Sequence, residues 1–205
     1  MKTKILILII TIIGLNLYGQ NDNPRNLRFG MLFTFDSNLS SENFAIDEYR
    51  GYSADYNKAN YKIGLSVEYL LRNRFTLNSG FNYSNKDFTG TYYCAVCDFI
   101  GPANPEKIEL QYVEIPLSLR YYFLPSDLKL FADIGLINQF SLTNEIIDNK
   151  YNISGKLGCG IEYNLNPKLA FQLVTEYNKG LTNMFKESDF KIKTISFGLG
   201  IVKKI

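Results

Sequence analysis

The stretch YVEIPLSLRYYF, Tyr112 to Phe123, alternates between two kinds of residue. Val113, Ile115, Leu117, Leu119, Tyr121 and Phe123 form one apolar set. Tyr112, Glu114, Pro116, Ser118, Arg120 and Tyr122 form the other. A period of two marks a β-strand with two unlike faces. Which face is inside decides the fold.

The pattern recurs along the chain. Strands are expected at Leu27–Phe35, Asn60–Leu70, Phe75–Asn85, Ile108–Phe123, Leu128–Phe140, Asn152–Tyr163, Lys168–Asn178 and Lys191–Val202. The connections between them run long, short, long, short throughout. The short ones, LRNR (71–74), LPSD (124–127) and NLNP (164–167), read as tight turns, two of them punctuated by proline. Every long connection then leaves one end of the sheet and every turn the other. That asymmetry belongs to outer-membrane barrels, with short periplasmic turns and longer extracellular loops. A spanning strand needs about 9–11 residues, and each of the eight reaches that length. The two at 108–123 and 128–140 overshoot it, so both are expected to extend beyond the membrane. The fold class expected is all-β, an eight-stranded antiparallel up-and-down transmembrane barrel.

In a water-soluble barrel the apolar set would point inward, and the outer face would be dense in lysine and glutamate. Here the opposite set is mostly glycine, serine, threonine and asparagine with isolated charges. Small residues suit the concave interior of an eight-stranded barrel, which has room for little more than side chains. Tyr69, Tyr83, Tyr121, Phe123, Tyr163 and Tyr177 fall at strand ends on the apolar face, where membrane interfaces place aromatic rings. The apolar face therefore meets lipid. The lumen receives Arg28, Lys62, Arg120 and Lys156 against Glu68, Glu114, Asp133, Glu162 and Glu176. Buried charges are costly unless paired. Glu114 and Arg120 are about 20 Å apart along one strand, so each must find a partner on another. A polar, largely filled lumen follows rather than an open pore. Pro116 has no N–H to give to a ladder, so a bulge or missing bond is expected beside it.

The first residues, MKTKILILIITIIGLNLYG, place Lys2 and Lys4 before a short apolar run and end on a small residue. They read as a secretory signal peptide, residues 1–19, followed by a barrel domain over 20–205. Removing 1–19 leaves 20 basic against 20 acidic side chains, which argues against nucleic acid as a partner. The chain holds no histidine. That excludes Ser-His-Asp and Cys-His catalysis and the usual zinc sites. No enzyme activity, cofactor or metal is expected, and the lumen carboxylates are better explained as ion-pair partners than as paired acid and base. CAVC, Cys94 to Cys97, falls in a long connection. A redox motif would open a helix in a βαβ setting and a zinc site would need more ligands, so a small loop disulfide in an oxidising compartment is the simplest reading. Loop 36–59 carries Tyr49, Tyr52 and Tyr56 among Ser, Asn and Asp. Such a composition suits a recognition surface, and equally a solvated loop with its rings resting on the barrel rim.

Several segments resemble the PorT-like outer-membrane β-barrel family, the Bacteroidetes-type outer membrane barrel domain. YVEIPLSLRYYF (112–123) is similar to its most recognisable strand, KIGLSVEYLLRNRFTLNSGFNYS (62–84) to a hairpin, GKLGCGIEYNL (155–165) to a glycine-alternating strand, and YNKGLTNMF (177–185) to a strand-top junction. The resemblance implies residence in the outer membrane and an eight-stranded barrel. One branch of that family takes part in type IX secretion, which adds envelope proteins to the expected partners beside outer-membrane lipid. The resemblance names no small-molecule ligand. The reading is a structural or interaction protein, with a secreted soluble barrel carrying a small apolar ligand as its rival.

Overall fold

The computed structural model of the chain describes residues 26–72, 74–97, 104–124, 126–143, 149–184 and 190–205. The expected signal peptide lies outside the described residues. These residues form β1 (Leu27–Asn38), β2 (Asn43–Ala45), β3 (Arg50–Asp55), β4 (Asn60–Arg72), β5 (Phe75–Asn85), β6 (Phe88–Cys94), β7 (Glu106–Ile108), β8 (Gln111–Tyr122), β9 (Leu128–Ser141), β10 (Tyr151–Asn166), β11 (Leu169–Gly180) and β12 (Lys193–Lys204). Eight of them close into an antiparallel barrel in the order β1-β12-β11-β10-β9-β8-β5-β4. Strand β1 pairs with β12 on one side and β4 on the other, which shuts the ring.

Alternation sets the wall. Met31 and Leu117 are 62% and 52% exposed, while Glu162 and Thr34 are 0%. Apolar residues face out and charges face in, the inverse of a soluble domain. Two aromatic rows edge the apolar band. At the loop end Phe33 lies 4.9 Å from Phe35 and 6.3 Å from Tyr61, and Tyr61 lies 6.0 Å from Tyr83. At the turn end Tyr121 lies 5.0 Å from Phe75 and 5.1 Å from Phe123. Inside, the Phe131 ring lies against Gly160. A Cβ at that position would sit 2.4 Å from the ring and 2.2 Å from the Leu173 carbonyl oxygen, so nothing larger than glycine fits.

Proline leaves its mark on one seam. Between β5 and β8 the ladder pairs Ser79 with Leu117 and next pairs Asn82 with Glu114, so Ile115 and Pro116 are skipped and the register is unchanged. The side chain of Ser79 donates to the Pro116 carbonyl at 2.9 Å. On the β9 side Pro116 pairs normally with Ile137.

Two expectations need correction. The connections 36–59 and 86–107 are not plain loops. They hold β2, β3, β6 and β7, which form a separate four-stranded sheet above the barrel. The expected long strand 108–123 is two elements: Ile108 ends β7, and the barrel strand begins at Gln111. Leu110 is buried between them, its N–H held by the Asp87 carboxylate at 3.0 Å. That turn marks where the chain passes from the upper sheet into the barrel wall.

Leu117 faces outward near the middle of β8. Leu117→Arg is expected to cost about 2–4 kcal/mol of folding free energy, the price of a cation near the bilayer midplane. Reversible urea unfolding in lipid vesicles measures it, and an unchanged free energy would contradict the placement.

Candidate functional site in the lumen and its cap

The barrel brings all nine expected charges into its interior, and most contacts run between strands. Arg28 and Glu68 are direct register partners on β1 and β4, and Arg28 Nε donates to Glu68 Oε2 at 2.8 Å. The other edge of the same guanidinium reaches across the lumen to β10, where Nη1 and Nη2 meet the two Glu162 oxygens at 2.8 and 2.6 Å. Arg120 clamps Asp133, its partner on β9, through Nε at 2.8 Å and Nη2 at 3.0 Å. Its Nη1 donates to Glu68 Oε1 at 3.0 Å, so Glu68 sits between two guanidiniums. The Arg120 guanidinium also lies 3.9 Å from the centre of the Phe131 ring. Higher up, Glu176 accepts from Lys156 and from Lys62, each at 2.5 Å, and Lys156 stands 3.9 Å from Asp133. Glu114 pairs with Lys86 and accepts from Gln139 Nε2 at 2.8 Å.

Glu114 and Arg120 thus find partners on other strands, as their spacing demands. Three participants were not anticipated as part of the network. Lys86 holds Glu114, Lys129 stands 3.3 Å from Glu162, and the Tyr122 hydroxyl donates to Glu162 at 2.7 Å. Parity carried the signal for the two lysines. Lys129 is two residues before Phe131 on an inward row, and Lys86 extends the inward row Asn82, Ser84. The buried carboxylate of Asp36, which accepts from the Thr34 hydroxyl at 2.7 Å, adds another negative charge to this interior. Geometry of this quality, with bidentate arginines and every carboxylate in contact with a cation or donor, is what a low-dielectric interior requires of buried charge.

Above the lumen the second sheet folds over the barrel mouth. Phe44, Tyr52, Ala54, Phe88, Ile108 and Leu110 form its core with Met184 and Phe190 from the β11–β12 connection and Tyr112 from the top of β8. Phe44 stacks on Phe190 with ring centres 4.0 Å apart. Tyr112 is also a lumen residue, and the Lys86 ammonium lies 5.2 Å from its ring. The cap core and the ion-pair network are therefore in contact.

Of the two readings of loop 36–59, displayed tyrosines and rings resting on the protein, the second describes two of the three. Tyr52 is buried in the cap core, and Tyr56 is half-buried against Phe88 at 5.5 Å with its hydroxyl on the Ser41 carbonyl. Burial pushes the phenol pKa of Tyr56 upward. Tyr49 alone of the three is exposed. Beside it Arg50 pairs with Asp47, and that contact, with the Tyr49 N–H, holds the Asp47 carboxyl below its usual range. Cys94 and Cys97 are joined in a disulfide at the end of β6. Ala95, inside that loop, donates its N–H to the Tyr49 carbonyl at 2.8 Å, which ties the two tips together. Cys159 is free and faces outward.

A closed eight-stranded ring, apolar outside and charged within, defines the class as a transmembrane β-barrel. The chain belongs to the outer membrane protein beta-barrel domain family, whose sequence profile matches residues 18–186. A search of curated proteins finds no match. Among solved structures it is similar to Neisserial surface protein A, with 13% identity, a TM-score of 0.56 and coverage of 90% of this chain and 100% of that one. It is also similar to OprG from Pseudomonas aeruginosa, at 13% identity and a TM-score of 0.53 over 89% and 98% of the two chains. The outer membrane protein AlkL, solved in lipid bilayers, aligns at 12% identity and a TM-score of 0.50 over 91% and 95%. At these identities the likeness is one of fold. The protein is an outer-membrane β-barrel protein and sits in the lipid bilayer of the outer membrane.

Glu68 tests the network because it serves two guanidiniums. Glu68→Gln is expected to cost about 3–5 kcal/mol, the range for removing one partner of a buried charge group. A double replacement of Arg120 and Asp133 by apolar residues of similar volume should cost less than either single change. Urea titrations of the refolded barrels in one lipid would measure both.

Proposed function

We propose that this protein is a non-catalytic outer-membrane barrel of structural or interaction type, with a closed lumen and the extracellular cap as its working face. The observation that carries this reading is the filled interior. Arg28, Glu68, Glu162 and Tyr122 meet across the barrel at its turn end, and the aromatic cap core lies over the other end. A barrel plugged at both ends supplies a rigid platform rather than a path. A soluble carrier of an apolar ligand would need an apolar lumen, and the charges here favour the membrane protein. Residues 1–19 serve in this reading as the export signal. The tip formed by Tyr49, Arg50 and the disulfide loop offers a tyrosine and an arginine on a stiff base, the residue types that dominate binding hot spots.

A second reading makes the protein a subunit of an envelope secretion or assembly machine. The resemblance of 112–123 and 62–84 to PorT-like strands favours it. Planar bilayer recordings and the native mass of the detergent-extracted protein test the two together. Wild-type protein is expected to show no stable large conductance, and a steady open channel would refute the closed lumen. Recovery as a lone barrel supports the free-standing role, and recovery within a larger complex of envelope proteins supports the subunit role.

A further inference from the structure

The turn end of the lumen opens into a vestibule below the contact between Arg28 and Glu162. It has a volume of about 150 Å³, and the buried Ala170 and Val202 form part of its wall. Four of its lining side chains are cations, Arg28, Lys129, Lys168 and Lys204, and among the described residues no carboxylate lines it. The strand register draws three of these charges together. Arg28 and Lys204 are direct partners on β1 and β12. Across the next seam the Lys204 N–H donates to the Lys168 carbonyl at 2.8 Å. Three cations thus stand on neighbouring strands at one level, where like charges repel.

Their circumstances differ. Arg28 gives Nε and both terminal nitrogens to Glu68, Glu162 and Tyr122, and Lys129 stands 3.3 Å from Glu162. These two form a neutralised floor. Among the described residues the ammoniums of Lys168 and Lys204 have no ion-pair or hydrogen-bond partner, the exposed Asp127 and the Ile205 carboxylate at the same end included. Lys204 is half-buried and Lys168 is exposed, so both reach the water on the side of the short turns, which is the periplasm. In a recess with low-dielectric walls, charges of one sign reinforce each other's pull on an anion.

The arrangement narrows the chemistry of that anion. Two unneutralised ammoniums match two negative charges, which favours a dianion over chloride or a monocarboxylate. The lysines sit on adjacent strands, so the two charges must be close together, as on one phosphate and unlike a long dicarboxylate. The floor is closed, so only a compact group enters. We propose that this vestibule binds a phosphate-class dianion from the periplasm, either free inorganic phosphate or the terminal phosphate of a soluble monoester. Lys204 and Lys168 donate to its oxygens, and Asn164, which lines the same recess, adds a neutral donor.

Isothermal titration of the full protein with inorganic phosphate tests the site. The protein is refolded in octyl glucoside, which carries no phosphate, at low salt and about pH 8, where a phosphate monoester is doubly charged. Wild type is expected to bind one phosphate, and dimethyl phosphate, with a single charge, roughly tenfold more weakly. Lys204→Gln and Lys168→Gln should each lose roughly tenfold with unchanged heat-modifiable gel migration. Lys203→Gln removes the same charge one residue away on the outer face and should stay within about twofold of wild type. Glycerol 3-phosphate separates the two sources: affinity equal to that of phosphate assigns the site to a terminal phosphate, and exclusion assigns it to the free ion. Loss at Lys203 as large as at Lys204 would overturn the proposal, since the attraction would then be diffuse. Asp22 lies outside the described residues just before β1, and Asp22→Asn is expected to bind as wild type does. Binding that appears only in Asp22→Asn would also overturn the proposal, because the chain's own carboxylate would then hold the lysines.

Discussion

The Arg28 guanidinium lies between Glu68 on a neighbouring strand and Glu162 on the far wall, and the rest of the interior is arranged around that contact. An eight-stranded barrel is narrow enough for one arginine to touch both sides. Once it does, Glu68 must also satisfy Arg120, Arg120 must orient on Asp133, and Asp133 passes the linkage to Lys156 and Glu176. The chain of contacts runs along much of the lumen. Lipid outside leaves no solvent to share these charges, so a change at one of them is felt by its neighbours. Such networks are weak evidence of added stability, because well-packed apolar side chains can do as well. Their clearer effect here is on geometry. A strand slipped by one residue would turn its charges into lipid, and every bidentate contact would be lost with it.

The cap extends the same logic to the loop end. Loops that lie over a polar lumen need their own apolar core to hold shape, and the four-stranded sheet supplies one. Its strands are short, so much of its order comes from rings packed between connections and from Tyr112, which rises from the barrel wall. The outer tip is stiffened separately by the Cys94–Cys97 bridge and by the hydrogen bond from Ala95 to Tyr49. The barrel therefore carries two interiors of opposite character, an ionic one in the membrane and an aromatic one above it.

The wall was legible in the sequence because two solvents wrote it. Lipid on one side and a crowded lumen on the other impose a period of two on each barrel strand, and residues such as Leu117 and Glu114 declare their sides by parity alone. Parity also named the lumen charges, yet it could not name the partners. Arg28 meets Glu162 only because the ring closes with a particular stagger, a property of all eight strands together. The cap was not legible for a related reason. RGYSAD and FTGTYYC are brief, rich in small and polar residues, and lack a second solvent to set a pattern. Tyr49 and Tyr52 stand three residues apart with similar neighbours, and what separates exposed from buried is the packing of Phe44 from the adjacent strand β2 and of Phe190 from a distant part of the chain. Pro116 lies between these cases. Its missing donor foretold a lost pairing on β8, while the choice of the β5 seam over the β9 seam belonged to the fold.

The stacking of Phe44 on Phe190 is a latch across the closing seam. One ring belongs to the connection that leaves β1, the other to the connection that leads into β12, and those two strands are the pair that shuts the ring. The aromatic core therefore bridges the seam from above, and parting β1 from β12 would pull its two rings apart.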